Sequence, residues 1–231
     1  MSSPSTQRYY QYLIPLSMAF VLSFVGSSLL VNRIMYLGPF IVPGGMLIYP
    51  FVYFFGDIIT EVYGYKISRN MLWWGLSAQL LFSIIMLLMI KIPQASFWHH
   101  QSAYETVFSP VPLYSLTCFL GTFVGGFVNI YIISKWKILL KGRFFWLRSI
   151  ASTAVGESLF SVIALTPVFI VQATHLNHVF YIVISAYIVK FIFTIVSSVP
   201  ATILVSMLKT AENCDAYDYN TNFNPFSLLI E

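Results

Sequence analysis

The sequence predicts an all-α integral membrane protein built from six transmembrane helices. Its 231 residues are 58% hydrophobic and only 9% charged, with a mean hydropathy of +0.79, whereas soluble domains carry roughly 25% charged residues. Six apolar runs are each long enough to cross a ~30 Å hydrocarbon core as a helix. The basic residues gather in short segments between alternate runs, as membrane orientation requires. The net charge of +4 therefore reflects topology and does not point to nucleic-acid binding.

The first run, 12–31, exceeds the roughly 7–15 apolar residues of a secretory signal core, and a single Arg8 precedes it, so it reads as a span. The second run, 45–63, ends in Gly56-Asp57-Ile58-Ile59-Thr60-Glu61-Val62-Tyr63-Gly64, and the third covers 71–90. The longest loop, Lys91 to Val111, holds Phe97, Trp98, His99, His100 and Tyr104. It reads as an interfacial aromatic belt, or as a short lid over an outward-facing site. Adjacent histidines without a third ligand do not make a metal site.

In the fourth run, 112–134, Gly121-Thr122-Phe123-Val124-Gly125 permits close helix approach, either within one subunit or across a dimer. The segment from Lys135 to Arg148 reads as a topology determinant that can also grip anionic head groups. The fifth run is 149–171. The sixth, 179–208, is long enough to tilt or to extend into the cytosol. Pro15, Pro50, Pro167 and Pro200 lie in or near spans, where they kink helices or shape packing.

Arg8, Lys66, Arg69, Lys135, Lys137, Lys141, Arg143, Arg148 and Lys209 fall on one side, and only Arg33 and Lys91 on the other. Both termini, 1–11 and the tail 209–231, are thus expected in the cytoplasm, and the chain reads as a single six-helix domain. Cys118 lies in a span and Cys214 in the tail, so no disulfide is expected.

Five polar residues interrupt the apolar runs: Asp57, Glu61, Asn129, Glu157 and Lys190. Asp57 and Glu61 share one helix face, one turn apart. At 1.5 Å per residue, Glu157 lies roughly 13 Å from the cytoplasmic side and Lys190 roughly 18 Å from the outside, which are nearly the same depth. A carboxylate in hydrocarbon normally faces a cavity, a pathway or a partner charge. Asp57, Glu157 and Lys190 are therefore expected to border one central polar cavity, which Asn129, Glu61, Ser152 and Thr153 extend toward the cytoplasm. The alternative is a buried ion pair that only locks helices together. Two acids and one base favour a ligand rich in donors, a cationic ligand or a shared proton. Phe51, Tyr53, Phe54, Phe55, Trp73, Trp74 and Phe127 offer rings against which a flat heterocycle could stack, or simply fill core and lipid contacts. No two-His metal motif, nucleophile elbow or P-loop is present. Neither an enzyme nor a cofactor is expected.

The Gly56–Gly64 motif resembles the signature of the queuosine-precursor transporter family. Asn129 with Ser134-Lys135, Trp146-Leu147-Arg148, Ser152-Thr153, Gly156-Glu157, Lys190, Pro200, Lys209 with Glu212, Asp215-Ala216-Tyr217-Asp218 and Asn222-Phe223-Asn224-Pro225-Phe226 extend the likeness from about residue 40 to the C-terminus. Two positions depart from the family pattern: Phe160 and Thr194 stand where acids are common. The resemblance implies a bacterial inner-membrane importer of 7-deazaguanine bases for tRNA modification. It also implies a fold similar to the substrate-binding subunits of energy-coupling-factor transporters. It places substrate contacts at Asp57, Glu61, Asn129, Arg148, Ser152, Glu157 and Lys190. The implied partners are the base and the bilayer, with no direct contact to nucleic acid and with a homodimer as one possible assembly. The alternative is a substrate-capture subunit for a small heterocycle that depends on a separate ATPase module.

Overall fold

The structure, a computed structural model, describes residues 10–167, 170 and 176–227. Arg8 and the last part of the fifth predicted span fall outside them. Six helical passes follow one another. Helix α1 (Leu13–Leu30) is apolar all round and buries Phe20, Ser23, Phe24, Ser27 and Ser28, while Met18 and Leu22 project outward. Such outward apolar side chains suit a bilayer, where lipid rather than water covers them.

A hairpin departs from the all-helical expectation. Strands β1 (Ile34–Leu37) and β2 (Phe40–Pro43) pair antiparallel, Ile34 opposite Pro43 and Leu37 opposite Phe40. The turn is tight because Gly38 adopts φ +58°, a region open to glycine. A 3₁₀ turn (Gly44–Leu47) then lies so close to α1 that a Cβ on Gly45 would run into the Ser27 carbonyl. The second span is consequently not one helix. It enters through this turn, and α2 (Pro50–Tyr63) begins with Pro50 in its first turn, where a missing N–H costs nothing.

Gly64, at φ +86°, turns the chain directly into α3 (Tyr65–Lys91). A short helix α4 (Gln101–Phe108) occupies the loop before α5 (Val111–Leu139). Helix α6 (Phe145–Phe160) continues through a π turn (Ser161–Leu165) to residue 167, and α7 (Leu176–Glu212) carries Pro200 in its interior. Among the described residues five helices are long and apolar enough to cross a membrane; the α6 segment with its π turn supplies the sixth pass. α3, α5 and α7 all run further than the apolar runs alone suggest, and the extensions of α3 and α5 carry the buried Arg69 and Lys137.

The start of α1 and the end of α7 meet at one end of the bundle, where the Tyr12 N–H donates to Glu212 Oε1 (2.7 Å). Beyond α7 the tail folds back along α3. The Tyr65 N–H donates to Asp218, Arg69 Nη1 donates to the carbonyls of Asn222 and Asn224 (both 3.1 Å), and Trp73 Nε1 donates to that of Pro225 (2.7 Å). Residues 65, 69 and 73 form one stripe of α3, so the tail climbs about 12 Å along the bundle.

Helices α5 and α6 make the closest approach. A Cβ on Gly125 would strike the Gly156 carbonyl, and one on Gly121 would lie 2.8 Å from Ala164 Cβ. The small-residue pattern in α5 thus serves packing within the subunit. Gly156→Ala would place a Cβ 2.7 Å from the Gly125 carbonyl oxygen, and such overpacking typically costs about 1–3 kcal/mol. Gly26 has nothing within 4 Å of its Cβ position. The expected outcome is a lowered thermal midpoint in detergent for Gly156→Ala and none for Gly26→Ala, read by tryptophan fluorescence.

Candidate functional site

The site is organised by a ladder between α2 and α6. Tyr49, Tyr53, Asp57 and Glu61 lie four residues apart and share a face of α2, counted from its N-cap. Each meets a different level of α6. The Tyr49 ring stacks on Phe160, with centroids 4.1 Å apart and planes at 23°. Tyr53 abuts Gly156, whose Cβ position lies 3.1 Å from Tyr53 Cε1. Asp57 Oδ2 accepts hydrogen bonds from Ser149 Oγ (2.5 Å) and Thr153 Oγ1 (3.0 Å). Glu61 Oε2 accepts from Arg148 Nη1 (2.7 Å).

Asn129 joins the Asp57 level from α5. Its Nδ2 donates to Ser152 Oγ and Thr153 Oγ1, both at 3.2 Å. Glu157 and Lys190, expected at one depth, form a buried ion pair between α6 and α7. Lys190 Nζ also donates to Ser161 Oγ (3.0 Å) and sits 4.6 Å from the Phe160 ring centroid. Ser161 opens the π turn, a distortion that recurs at functional sites. Asp57 is not paired with Lys190; its charge is met by the hydroxyls of α6.

At the end where α1 begins and α7 ends, Glu61 is the centre of a second cluster. Besides Arg148 it faces Lys209 Nζ (2.6 Å) and Lys137 Nζ (3.6 Å). Lys137 donates as well to the Glu61 main-chain carbonyl (2.5 Å), to Asp215 Oδ1 (2.6 Å) and to the Ala216 carbonyl (2.7 Å). Lys209 reaches the same Asp215 oxygen (2.9 Å). Burial pushes the Asp215 carboxyl up, but the hydrogen bonds from Lys137 and Lys209 outweigh it and hold the group below its ordinary range. Lys137, read from the sequence as a loop charge, and Arg148, read both as part of that basic segment and as a substrate contact, are fully buried members of this cluster.

Ser149, Ser161, Lys137 and Asp215 did not stand out as site residues in the sequence. Lys137 is flanked by Trp136, Ile138 and Leu139, a hint that α5 continues through it.

Three buried polar atoms on the ladder have no hydrogen-bond partner among the described residues: Tyr53 OH, Asp57 Oδ1 and Glu157 Oε1. An unmet buried polar group costs about 1–3 kcal/mol, and more if charged. The adjoining void, lined by residues that include Tyr53, Gly56, Thr122, Gly126 and Asn129, has a volume of only about 10 Å³, the scale of one water. Asp57, Glu157 and Lys190 are themselves buried, so the polar cavity expected between them is closed in this conformation. Two larger hollows, of about 440 and 560 Å³, are walled by apolar side chains such as Leu16, Phe55 and Leu204, or Val162 and Val183. Neither has a charged residue in its lining.

Residues 43–205 match the family described as "Putative vitamin uptake transporter". A Bacillus subtilis protein named "Probable queuosine precursor transporter" is 29% identical over 154 residues, covering 66% of this chain and 67% of that one. No solved structure matches the chain.

The Glu61 cluster makes a sharp stability prediction. Glu61→Gln removes the charge that compensates a fully buried guanidinium and ammonium, and breaking a buried pair in this way costs about 3–5 kcal/mol. Thermal unfolding of the purified chain should show Glu61→Gln as far more destabilising than Lys209→Met, since Lys209 is partly exposed. Equal midpoints for the two variants would contradict the hub role of Glu61.

Proposed function

Because the chain belongs to the vitamin uptake transporter family, we propose that its cargo is a 7-deazaguanine base, a precursor of queuosine. The protein is a membrane transporter of a vitamin-like substrate. The observation that favours this cargo is the pair of free carboxylate oxygens, Asp57 Oδ1 and Glu157 Oε1, in a buried setting. A deazaguanine presents ring N–H and amino donors side by side, and an ionised carboxylate only accepts. Ser149 and Thr153 fix one oxygen of Asp57 and leave the other for the ligand. Lys190 holds Glu157 in the same manner.

Lys190, which donates to Glu157 and Ser161 and has a third N–H to give, supplies a donor for the base's carbonyl, while Asn129 has both amide N–H groups on Ser152 and Thr153. The Tyr49–Phe160 stack offers aromatic surface for the base's ring. Ser152 orients Asn129. Arg148 and Glu61 extend the polar path toward the end where α1 begins and α7 ends, which by its basic residues faces the cytoplasm of the cell that carries the protein in its inner membrane. Transport proceeds by alternating access, with the closed site opening to admit the base.

The test is cellular. The chain is expressed in bacteria that lack both queuosine-precursor synthesis and their own importer, each deazaguanine base is supplied at low concentration, and queuosine in tRNA is read by its gel shift. Rescue is expected with the unaltered chain and not with Asp57→Asn or Lys190→Ala at equal membrane abundance. Failure of the unaltered chain would reject the cargo. Normal rescue by both variants would reject the site.

A further inference from the structure

We propose that Tyr53 is a specificity-determining residue of this site, its hydroxyl donating a hydrogen bond to a carbonyl on the bound heterocycle. The inference rests on the cargo reading above and adds to it the feature that separates a guanine-type ring from a ring without that carbonyl.

Placement comes first. Tyr53 precedes Asp57 by one turn of α2, on the same face. Its ring lies in the slot made by the two glycines of the α5–α6 contact: Cβ positions on Gly125 and Gly156 fall 3.1 Å from its hydroxyl and from Cε1, respectively. Any larger residue at either position would displace the phenol. The slot fixes where the hydroxyl points, between the level of Asp57 and that of Glu157, the residue after Gly156.

The hydroxyl itself is the second observation. It is buried and makes no hydrogen bond within 3.5 Å among the described residues; the Tyr49 hydroxyl that neighbours it is itself bonded to Thr122 Oγ1. Packing alone would be served as well by phenylalanine. The contrast with Tyr49, one turn earlier, is direct: that hydroxyl is matched by Thr122 Oγ1 at 2.8 Å. Buried tyrosine hydroxyls normally find a partner, and on this proposal the ligand supplies it.

The third is chemical. Of the three unpartnered atoms on the ladder, the two carboxylate oxygens accept only when their groups are ionised, whereas a phenol can donate. A ligand that fills all three places must offer donors to Asp57 and Glu157 and an acceptor to Tyr53. A lactam edge, with N–H beside C=O, has that alternation; an amino-purine edge without the carbonyl does not. A site built around a hydrogen bond discriminates against an analogue that cannot make it, because the site's group is then left buried and unmet.

The experiment uses the purified full chain in detergent, with equilibrium binding of 7-deazaguanine and of 2-amino-7-deazapurine, which lacks the carbonyl and with it the adjacent ring N–H, so that the change on Tyr53→Phe isolates the carbonyl contact. The unaltered chain should prefer the carbonyl-bearing base by at least tenfold. Tyr53→Phe, which retains the ring, should weaken binding of 7-deazaguanine by roughly tenfold, the scale of one neutral hydrogen bond, and leave the analogue unchanged. Equal affinity of the unaltered chain for the two bases would overturn the assignment without recourse to any variant. So would a Tyr53→Phe protein that binds both as before, or that weakens both alike. No binding of 7-deazaguanine by the folded, unaltered chain would instead overturn the cargo reading, and the role of Tyr53 with it.

Discussion

A carboxylate can be buried in a membrane protein only where its charge is met, and Glu61 is the point at which this chain meets that requirement most completely. Three cations converge on it from α5, α6 and α7, and Asp215 of the tail takes up the excess positive charge. Glu61 could not be removed without stranding Lys137 and Arg148, both fully buried, in a low-dielectric setting. The helices that carry them are therefore tied at one end by mutual necessity more than by attraction. The consequence reaches the chain's own course: α5 must run to Leu139 to bring Lys137 inward, and the tail must return to bring Asp215 and the Ala216 carbonyl to it.

One turn away the logic is reversed. Asp57 has donors on one oxygen and none on the other, and Glu157 is held by Lys190 on one side only. The same helix thus carries a saturated carboxylate and a half-satisfied one, four residues apart. The proposed binding role of Asp57 and Glu157 rests on this contrast, which shows only that Glu61 is fully paired and that they are not. A group that only supports the fold gains from being fully paired, whereas a group that binds must keep capacity in reserve. The cost of that reserve is borne by the packing around it, above all by the close α5–α6 contact at Gly125 and Gly156.

Much of this was legible in the sequence because helix geometry is simple arithmetic. Spacing put Asp57 and Glu61 on one face, and counting residues put Glu157 and Lys190 at one depth. What was hidden is instructive. Lys137 looked like a loop charge, and Arg148 in part, because a basic residue near a span end fits the orientation rule whether it points to water or inward. The hairpin Ile34–Pro43 was missed because its apolar residues show no alternation that separates them from the adjoining spans. The tail was placed outside the bundle because its docking on Arg69 and Trp73 runs through main-chain carbonyls, which a sequence does not display. Tyr53 read as wall material, since no pattern of residue types tells whether a hydroxyl has a partner.

The two ends of the bundle are held by unlike forces, and this bears on how the closed site can open. At the basic end the ties are charges buried together, so separating α2 from α6 there would expose Arg148 and Glu61 each without the other. At the opposite end the hairpin is joined to the rest by hydrogen bonds between neutral groups, Asn32 to the Val107 carbonyl and Tyr181 to the Pro39 carbonyl. A neutral hydrogen bond contributes on the order of 1 kcal/mol net and is readily replaced by water at the surface, whereas a stranded buried charge costs several times more. Parting the hairpin from its neighbours would thus expose apolar side chains such as Val42 but strand no buried ion pair of those named above. The ladder from Tyr49 to Glu61 runs from the hairpin end to the charged one, and its unpartnered atoms lie between the two.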